Sequence, residues 1–267
     1  MQVKKLGYIL FVGAFATICI LPVAVMPWQV EKAVGNEQLA SFPELRKEDG
    51  NFNTGILNDF ADYFADHFGF RHEMITLNDW LTEAAFKTLD SNSVLLGKDS
   101  WLFYKSTLED YTGTNLFTAR QSYAAAHALG LMQEYCEQND IDFCFTIAPN
   151  KNSMYSSQMP ARYAAASVRN AQLLKQQMEQ QNVRYIDLFE VLSNSKEQLY
   201  YRLDSHWNMR GAQLAAQALL EELKGCEVEF DPFVTGKKLP HTGDLYEMVY
   251  PAGSETEQDT AYDFTYQ

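Results

Sequence analysis

An uncharged run of 23 residues, Leu6 to Trp28, constrains this chain more than any other feature. As a helix rising ~1.5 Å per residue it is about 34 Å long, enough to cross a bilayer. Lys4 and Lys5 immediately precede it and Trp28 closes it, the flanks expected of a span whose short N-terminus stays in the cytoplasm. The rival reading is a cleaved signal peptide. The run is longer than an ordinary signal core and no A-x-A site follows, so it reads as an uncleaved anchor. Cys19 lacks the small residues that precede a lipoprotein cysteine. The expected localisation is the cell membrane, single-pass, with everything after residue 28 outside.

Composition narrows the classes of function. The 267 residues carry 21 basic and 35 acidic side chains, a net charge of −14. So acidic a chain repels polyanions, and no nucleic-acid partner is expected. An apolar fraction of 46% supports a packed core rather than global disorder. Cys19, Cys136, Cys144 and Cys226 have neither metal-ligand spacing nor an even extracellular set, so no disulfide framework follows. Cys144 lies in an apolar strand pattern, as a buried thiol would.

The pattern after the anchor divides the chain. Residues 29–54 are polar and read as a stalk. Residues 55–68 set Ile56, Phe60, Phe64 and Phe68 on one helical face, Gly69-Phe70-Arg71 ends that helix, and 73–88 form a second one. Residues 94–104 (VLLGKDSWLFY) read as two short strands about a Gly-Lys-Asp turn. Beyond them helix and strand alternate. Helices are expected at 119–138, 167–181 and 209–223, the last with Ala212, Ala216, Leu219, Leu220 and Leu223 inward. Strands are expected at 142–149 and 183–189. Such alternation implies a parallel sheet with right-handed crossovers. The folded domain is expected at 55–250, and 251–267, with four acids and no base, as a loose tail.

Two segments carry candidate chemistry. In LDSHWNMRGA (203–212), Asp204 and His206 stand two apart just before a helix. Extended residues i and i+2 point the same way, so the carboxylate can orient the imidazole as a general base; Trp207 would pack beneath the turn. The plainer alternative makes Asp204 the cap of the following helix and His206 a satisfied histidine. In IAPNKNSMY (147–155) the strand ends at Pro149. Asn150, Lys151 and Asn152 then sit where open α/β sheets bind ligands, with amides suited to an oxyanion and an amine suited to an acidic sugar or a carbonyl. An ordinary strand-to-helix turn remains the alternative. His67, His72 and His127 have no partner spacing, and Arg71 is a candidate structural cation. Asp204, His206 and His241 lack a fourth ligand at a recognisable spacing, so no metal is expected, and no other cofactor.

Five segments occur in order: GNFN through FADHFGFR, LLGKDSWLFY, IAPNKNSMY, YYRLDSHWNMRGA and HTGDL. This succession, over roughly residues 50–250, resembles the SGNH-hydrolase-like proteins of polysaccharide O-acetylation, the AlgJ/AlgX type and the related DHHW proteins of Gram-positive bacteria. The resemblance implies a three-layer α/β/α sandwich with a flavodoxin-like parallel sheet. It also implies acetyl transfer to, or acetyl-ester hydrolysis from, hydroxyls of a cell-surface polysaccharide, beside a membrane-bound O-acyltransferase. In such a Ser-His-Asp triad His206 is the base and Asp204 its orienting partner. Asn150, Lys151, Asn152, Trp207 and His241, the last in a loop that matches the family, are candidates to line the substrate pocket. The family's serine follows the D-x-H-W segment by many tens of residues, in a G-D-S-F-like turn. No such turn occurs before Gln267. Ser254 follows no apolar strand, and Ser100 belongs to the Gly-Lys-Asp turn. The expectation is that the nucleophile is not in this chain, which is a piece of a longer one, a natural truncation, or completed by a partner. The alternative function is a non-catalytic carbohydrate-binding or assembly subunit.

Overall fold

The structure is a computed structural model that describes residues 2–29, 33–34, 37–89, 91–225 and 234–262. The chain forms two compact units, residues 1–84 with 247–253, and residues 85–246 with 254–267. Helices 56–66 and 71–86, read from sequence as part of a domain spanning 55–250, therefore group with the N-terminal segment.

In the first unit α1 (Gln2–Val25) is exposed along nearly its whole length, as the apolar run requires. Its described portion includes one candidate span, Lys5–Val25. α2 (Ile56–Asp66) and α3 (Arg71–Phe86) are joined by a turn at Gly69. A Cβ on Gly69 would lie 2.4 Å from the Pro22 carbonyl oxygen, so only glycine permits that approach. Long-range polar contacts fix the turn: Phe70 N–H donates to Gln29 Oε1 at 3.1 Å, and Arg71 pairs with Glu37 at 2.5 Å. Arg71 is thus a structural cation.

The second unit opens with the expected hairpin, β1 (Val94–Leu96) antiparallel to β2 (Leu102–Tyr104). Asp99 and Ser100 take positive φ at its turn. Leu95, Trp101 and Phe103 pack with Tyr111, in α4 (Leu108–Thr112), and with Met159. α5 (Ala119–Glu137) starts at a Thr118–Gln121 capping box. β3 (Phe145–Thr146) leads to α6 (Lys151–Met154) and α7 (Asn170–Gln180). β4 (Tyr185–Ile186) pairs parallel with β3 and runs directly into α8 (Leu188–Ser193). Both strands are shorter than the apolar runs suggest. Pro149 has no N–H for a ladder, and Asp187 caps α8 by accepting from Glu190 N–H at 3.2 Å.

Strand alternation sorts the core into layers. Phe145 and Tyr185 face α5 and α7, packing with Ala126, Leu174 and Met178. Cys144 and Ile186 face the other way, with Leu188 and Val191 of α8 and Ala215, Ala218 and Leu219 of α9 (Met209–Lys224). This is the expected α/β/α layering about a parallel pair. Within α9 the buried positions are Gly211, Gln213 and Ala215, whereas Leu223, expected inward, is exposed. The last helical turn extends past the layer it packs on.

β5 (Val234–His241), α10 (Asp244–Val249) and β6 (Glu257–Tyr262) complete the described chain. β5 and β6 are antiparallel, with His241 opposite Glu257 and Leu239 opposite Asp259. The acidic run expected to be loose is therefore partly a strand. Its acids have specific donors: Glu257 accepts the N–H groups of Arg202 and Leu203 at 2.8 and 2.6 Å, and Asp259 accepts from Met209 N–H at 3.2 Å. Residues 263–267 and Cys226 lie outside the described residues.

Candidate active site

The turn preceding α9 is built around one buried carboxylate. Asp204 Oδ1 accepts both the backbone N–H and the Nδ1–H of His206, each at 2.8 Å. Oδ2 accepts from His241 Nε2 at 2.7 Å and from Asp244 N–H at 3.1 Å. Burial pushes the Asp204 carboxyl up. The His206 N–H, the two imidazoles and the Asp244 N–H outweigh burial and hold it well below the usual carboxylate range. Asp204 does not cap α9. Asn208 does, accepting from Gly211 N–H at 3.0 Å, so Asp204 is free for the rings.

With its Nδ1 proton on Asp204, His206 presents Nε2 outward, and its side chain is 73% exposed. This tautomer follows from the hydrogen bonds. It is the form a general base needs: an unprotonated nitrogen facing the reaction and a carboxylate behind the ring. No hydroxyl among the described residues bonds to that nitrogen. Ser205 Oγ lies 3.3 Å from Nδ1, on the Asp204 side, and is bound to Asp244 Oδ2 at 2.5 Å.

Asp244 is a residue the sequence reading passed over, although it stands within HTGDL. Its Oδ1 accepts from the N–H groups of Ser205 and Leu245, both at 2.7 Å, and Oδ2 lies 3.5 Å from His206 Nδ1. Gly243 lets this loop close: a Cβ there would lie 2.1 Å from the Leu203 carbonyl oxygen. Ligand atoms of Asp204, His206 and Asp244 lie within 4.8 Å of one another, the only such cluster among the described residues with a spacing that suits a cation. Each carboxylate oxygen among them already accepts N–H or O–H donors, so the group is built as a hydrogen-bonded network.

His206 opens on a cleft of about 360 Å³, lined also by Asn150, Asn152, Tyr200, Trp207 and Phe103. Trp207 packs on Tyr200 with ring centroids 6.5 Å apart. Asn150 stands at the start of α6 without a side-chain cap bond and is half-buried; its Nδ2 makes one long contact, 3.5 Å, to Asp110. Asn152 is buried. Its Nδ2 donates to Thr107 O and Oγ1 at 3.3 and 2.9 Å, and its Oδ1 has no hydrogen-bond partner among the described residues.

Lys151 differs from its expected role. Its ammonium donates to the carbonyls of Leu102, Arg202 and Asp204 at 2.6, 2.8 and 2.8 Å. Nζ lies 5.1 Å from the Trp101 ring centroid. Lys151 borders the cleft, but its ammonium is engaged by these three carbonyls of the chain itself. It ties β2 to the Asp204 turn. Burial pushes the amine down to about 7, against the pull of Glu257, Asp204 and Asp244. His241 likewise points at Asp204 and is not part of the cleft wall.

The domain that carries this pair and cleft also matches a known family by sequence. The model of the SGNH hydrolase-like domain, acetyltransferase AlgX, matches residues 94–265. The chain belongs to this family. It is similar to the probable alginate O-acetylase AlgJ of Pseudomonas putida, 29% identical over 162 residues. That match covers 57% of this chain and 40% of AlgJ, so the chain spans about two fifths of that relative's length. Among solved structures it is similar to the O-acetyltransferase domain of P. putida AlgJ, at 26% identity, 63% of each chain and a TM-score of 0.46. It also resembles a DHHW family protein from Eubacterium siraeum, at 20% identity, 66% of this chain and 55% of that one, with a TM-score of 0.43.

Proposed function

We propose that this chain is the membrane-anchored base-and-cleft portion of an extracytoplasmic O-acetyltransferase acting on hydroxyls of a cell-surface polysaccharide. The observation that carries the reading is the Asp204–His206 pair, with Nε2 turned outward over the cleft. In this reading a serine hydroxyl, brought to Nε2 from polypeptide outside the described residues, attacks the acetyl carbonyl as His206 takes its proton. The acetyl group then rests on the serine oxygen and the leaving group departs with the proton from His206. A sugar hydroxyl next gives its proton to His206 and takes the acetyl group, and the proton returns to the serine. No step requires a metal or an organic cofactor.

Two further supports are independent of that pair. The name of the P. putida relative specifies alginate O-acetylation, which favours a polysaccharide acceptor. α1, with Lys4 and Lys5 just before its uncharged run, supports an anchor whose N-terminus is cytoplasmic. An acetyl donor outside the membrane implies a membrane-bound O-acyltransferase partner, as the family resemblance does. In this reading 1–28 anchor, 29–54 tether, and the family domain holds the site. The deciding experiment is polymer-bound acetate in cells carrying His206→Ala in the chromosomal copy. Acetate should vanish. Unchanged acetate would sink the catalytic reading and leave a carbohydrate-binding subunit that uses the same cleft.

A further inference from the structure

His206 is held by little except Asp204. Its ring is 73% exposed, and apart from Ser205 its Nδ1 meets only carboxylates. The direction of Nε2 therefore follows the plane of the Asp204 carboxylate. That plane turns about a side-chain torsion with no sharp intrinsic preference. The His206 backbone N–H ties down the near oxygen at 2.8 Å, and the bonds to the far oxygen then fix the plane. Both donors to Oδ2 come from where β5 ends and α10 begins: the His241 ring at 2.7 Å and the Asp244 N–H at 3.1 Å.

His241 is itself braced. It is the last residue of β5, opposite Glu257. Its ring stacks on Tyr201, centroids 4.0 Å apart and planes 20° apart. The Tyr201 hydroxyl donates to Asp259 of β6. The support thus runs from the β5–β6 hairpin through the Tyr201–His241 stack to Asp204 and on to His206. It joins residues 35 or more apart in sequence through one short hydrogen bond.

We propose that His241 is a positioning residue: by clamping the second oxygen of Asp204 it fixes the orientation of His206 and thereby the direction of the basic nitrogen. The proposal rests on the reading of His206 as the general base. A merely structural His241 would pin the hairpin to the turn and leave the His206–Asp204 bond unchanged once the chain had folded.

The test uses the full chain in detergent and compares His241→Phe, which keeps the stack but lacks the donor, with His241→Gln, which supplies an N–H donor without an imidazole. The readout is the Nδ1 proton resonance of His206, assigned by its loss in His206→Ala. In the wild type it should be downfield and slow to exchange. His241→Phe should move it upfield and speed its exchange by about tenfold or more, as expected when a bonded proton is left to a mobile acceptor. His241→Gln should restore it. Polymer acetylation should fall about 10- to 100-fold in His241→Phe, in line with the cost of misplacing a catalytic group, and recover in His241→Gln. An unchanged resonance in folded His241→Phe overturns the proposal, as does its loss in folded His241→Gln. If His241→Phe does not fold, Tyr201→Leu, which removes the brace without touching Asp204, must weaken the same resonance. The resonance is read without turnover, so it stands or falls separately from the acetate experiment on His206→Ala.

Discussion

The Asp204–His206 turn and the Asn150–Asn152 turn border the same cleft, and each brings a charged side chain to it. At Asp204 the charge is buried and its four donors come from residues 206, 241 and 244, so the partner left pointing outward is a nitrogen of His206. At Lys151 the charge is equally buried, but its partners are three main-chain carbonyls, and nothing is left to point outward. A buried charge needs hydrogen bonds in either case. When side chains supply them, a second functional atom can be oriented. When backbone supplies them, the charge is a strut. The two turns touch, since the carbonyl that Lys151 holds includes that of Asp204 itself.

Asp204→Asn should have the largest effect. An amide cannot accept from both rings on equal terms, and His206 loses the partner that sets its tautomer. Polymer acetylation should drop by about 10⁴-fold, as when a triad aspartate becomes asparagine. The same change should flatten the acid side of the stability curve. Asp204 is held below the usual range in the folded chain, so its stabilisation is full above the unfolded value near ~3.9. That stabilisation is lost as pH falls below it toward the folded value, and a pH series of thermal melts on wild type and variant shows the difference.

Lys151→Met breaks the strut. Three buried carbonyls lose their donor, an expected loss of about 3 kcal/mol at ~1 kcal/mol each, read from urea denaturation. The gap should depend on pH. The folded amine titrates near 7 and the unfolded one at 10.5, so between these the unfolded chain binds more protons and wild-type stability rises with pH. The variant lacks that rise. Gly243→Ala should cost about 2 kcal/mol, within the usual range for overpacking, because the new Cβ collides with the Leu203 carbonyl. Acetylation should fall with it, since the collision opens the loop that carries Asp244. Asn150→Ala should be the mildest. With one contact at 3.5 Å to lose, stability should change by no more than about 0.5 kcal/mol, and any effect should appear as weaker polymer binding. A large loss of stability at Asn150, or none at Lys151, would erase the distinction between the two turns.

Local signals in the chain are accurate where the physics is local. The 94–104 hairpin is read from its Gly-Lys-Asp turn, and Asp204 and His206 from their spacing of two before a helix. The strands at 145–146 and 185–186 are overestimated because an apolar run does not reveal where a proline or a capping aspartate ends the ladder. The acidic terminus looks solvated because its partners, the N–H groups of residues 202, 203 and 209, lie about 50 residues away.

By itself the sequence determined an apolar helix of membrane-spanning length, a layered α/β domain and an acid–imidazole pair, since each follows from periodicity or from neighbours along the chain. Tertiary structure alone decided that Lys151 faces inward, that Asp244 joins the pair, and that His241 holds Asp204 rather than lining the cleft. Those outcomes depend on which distant groups fill a carboxylate's or an ammonium's remaining hydrogen bonds, and no local pattern of residues encodes that choice.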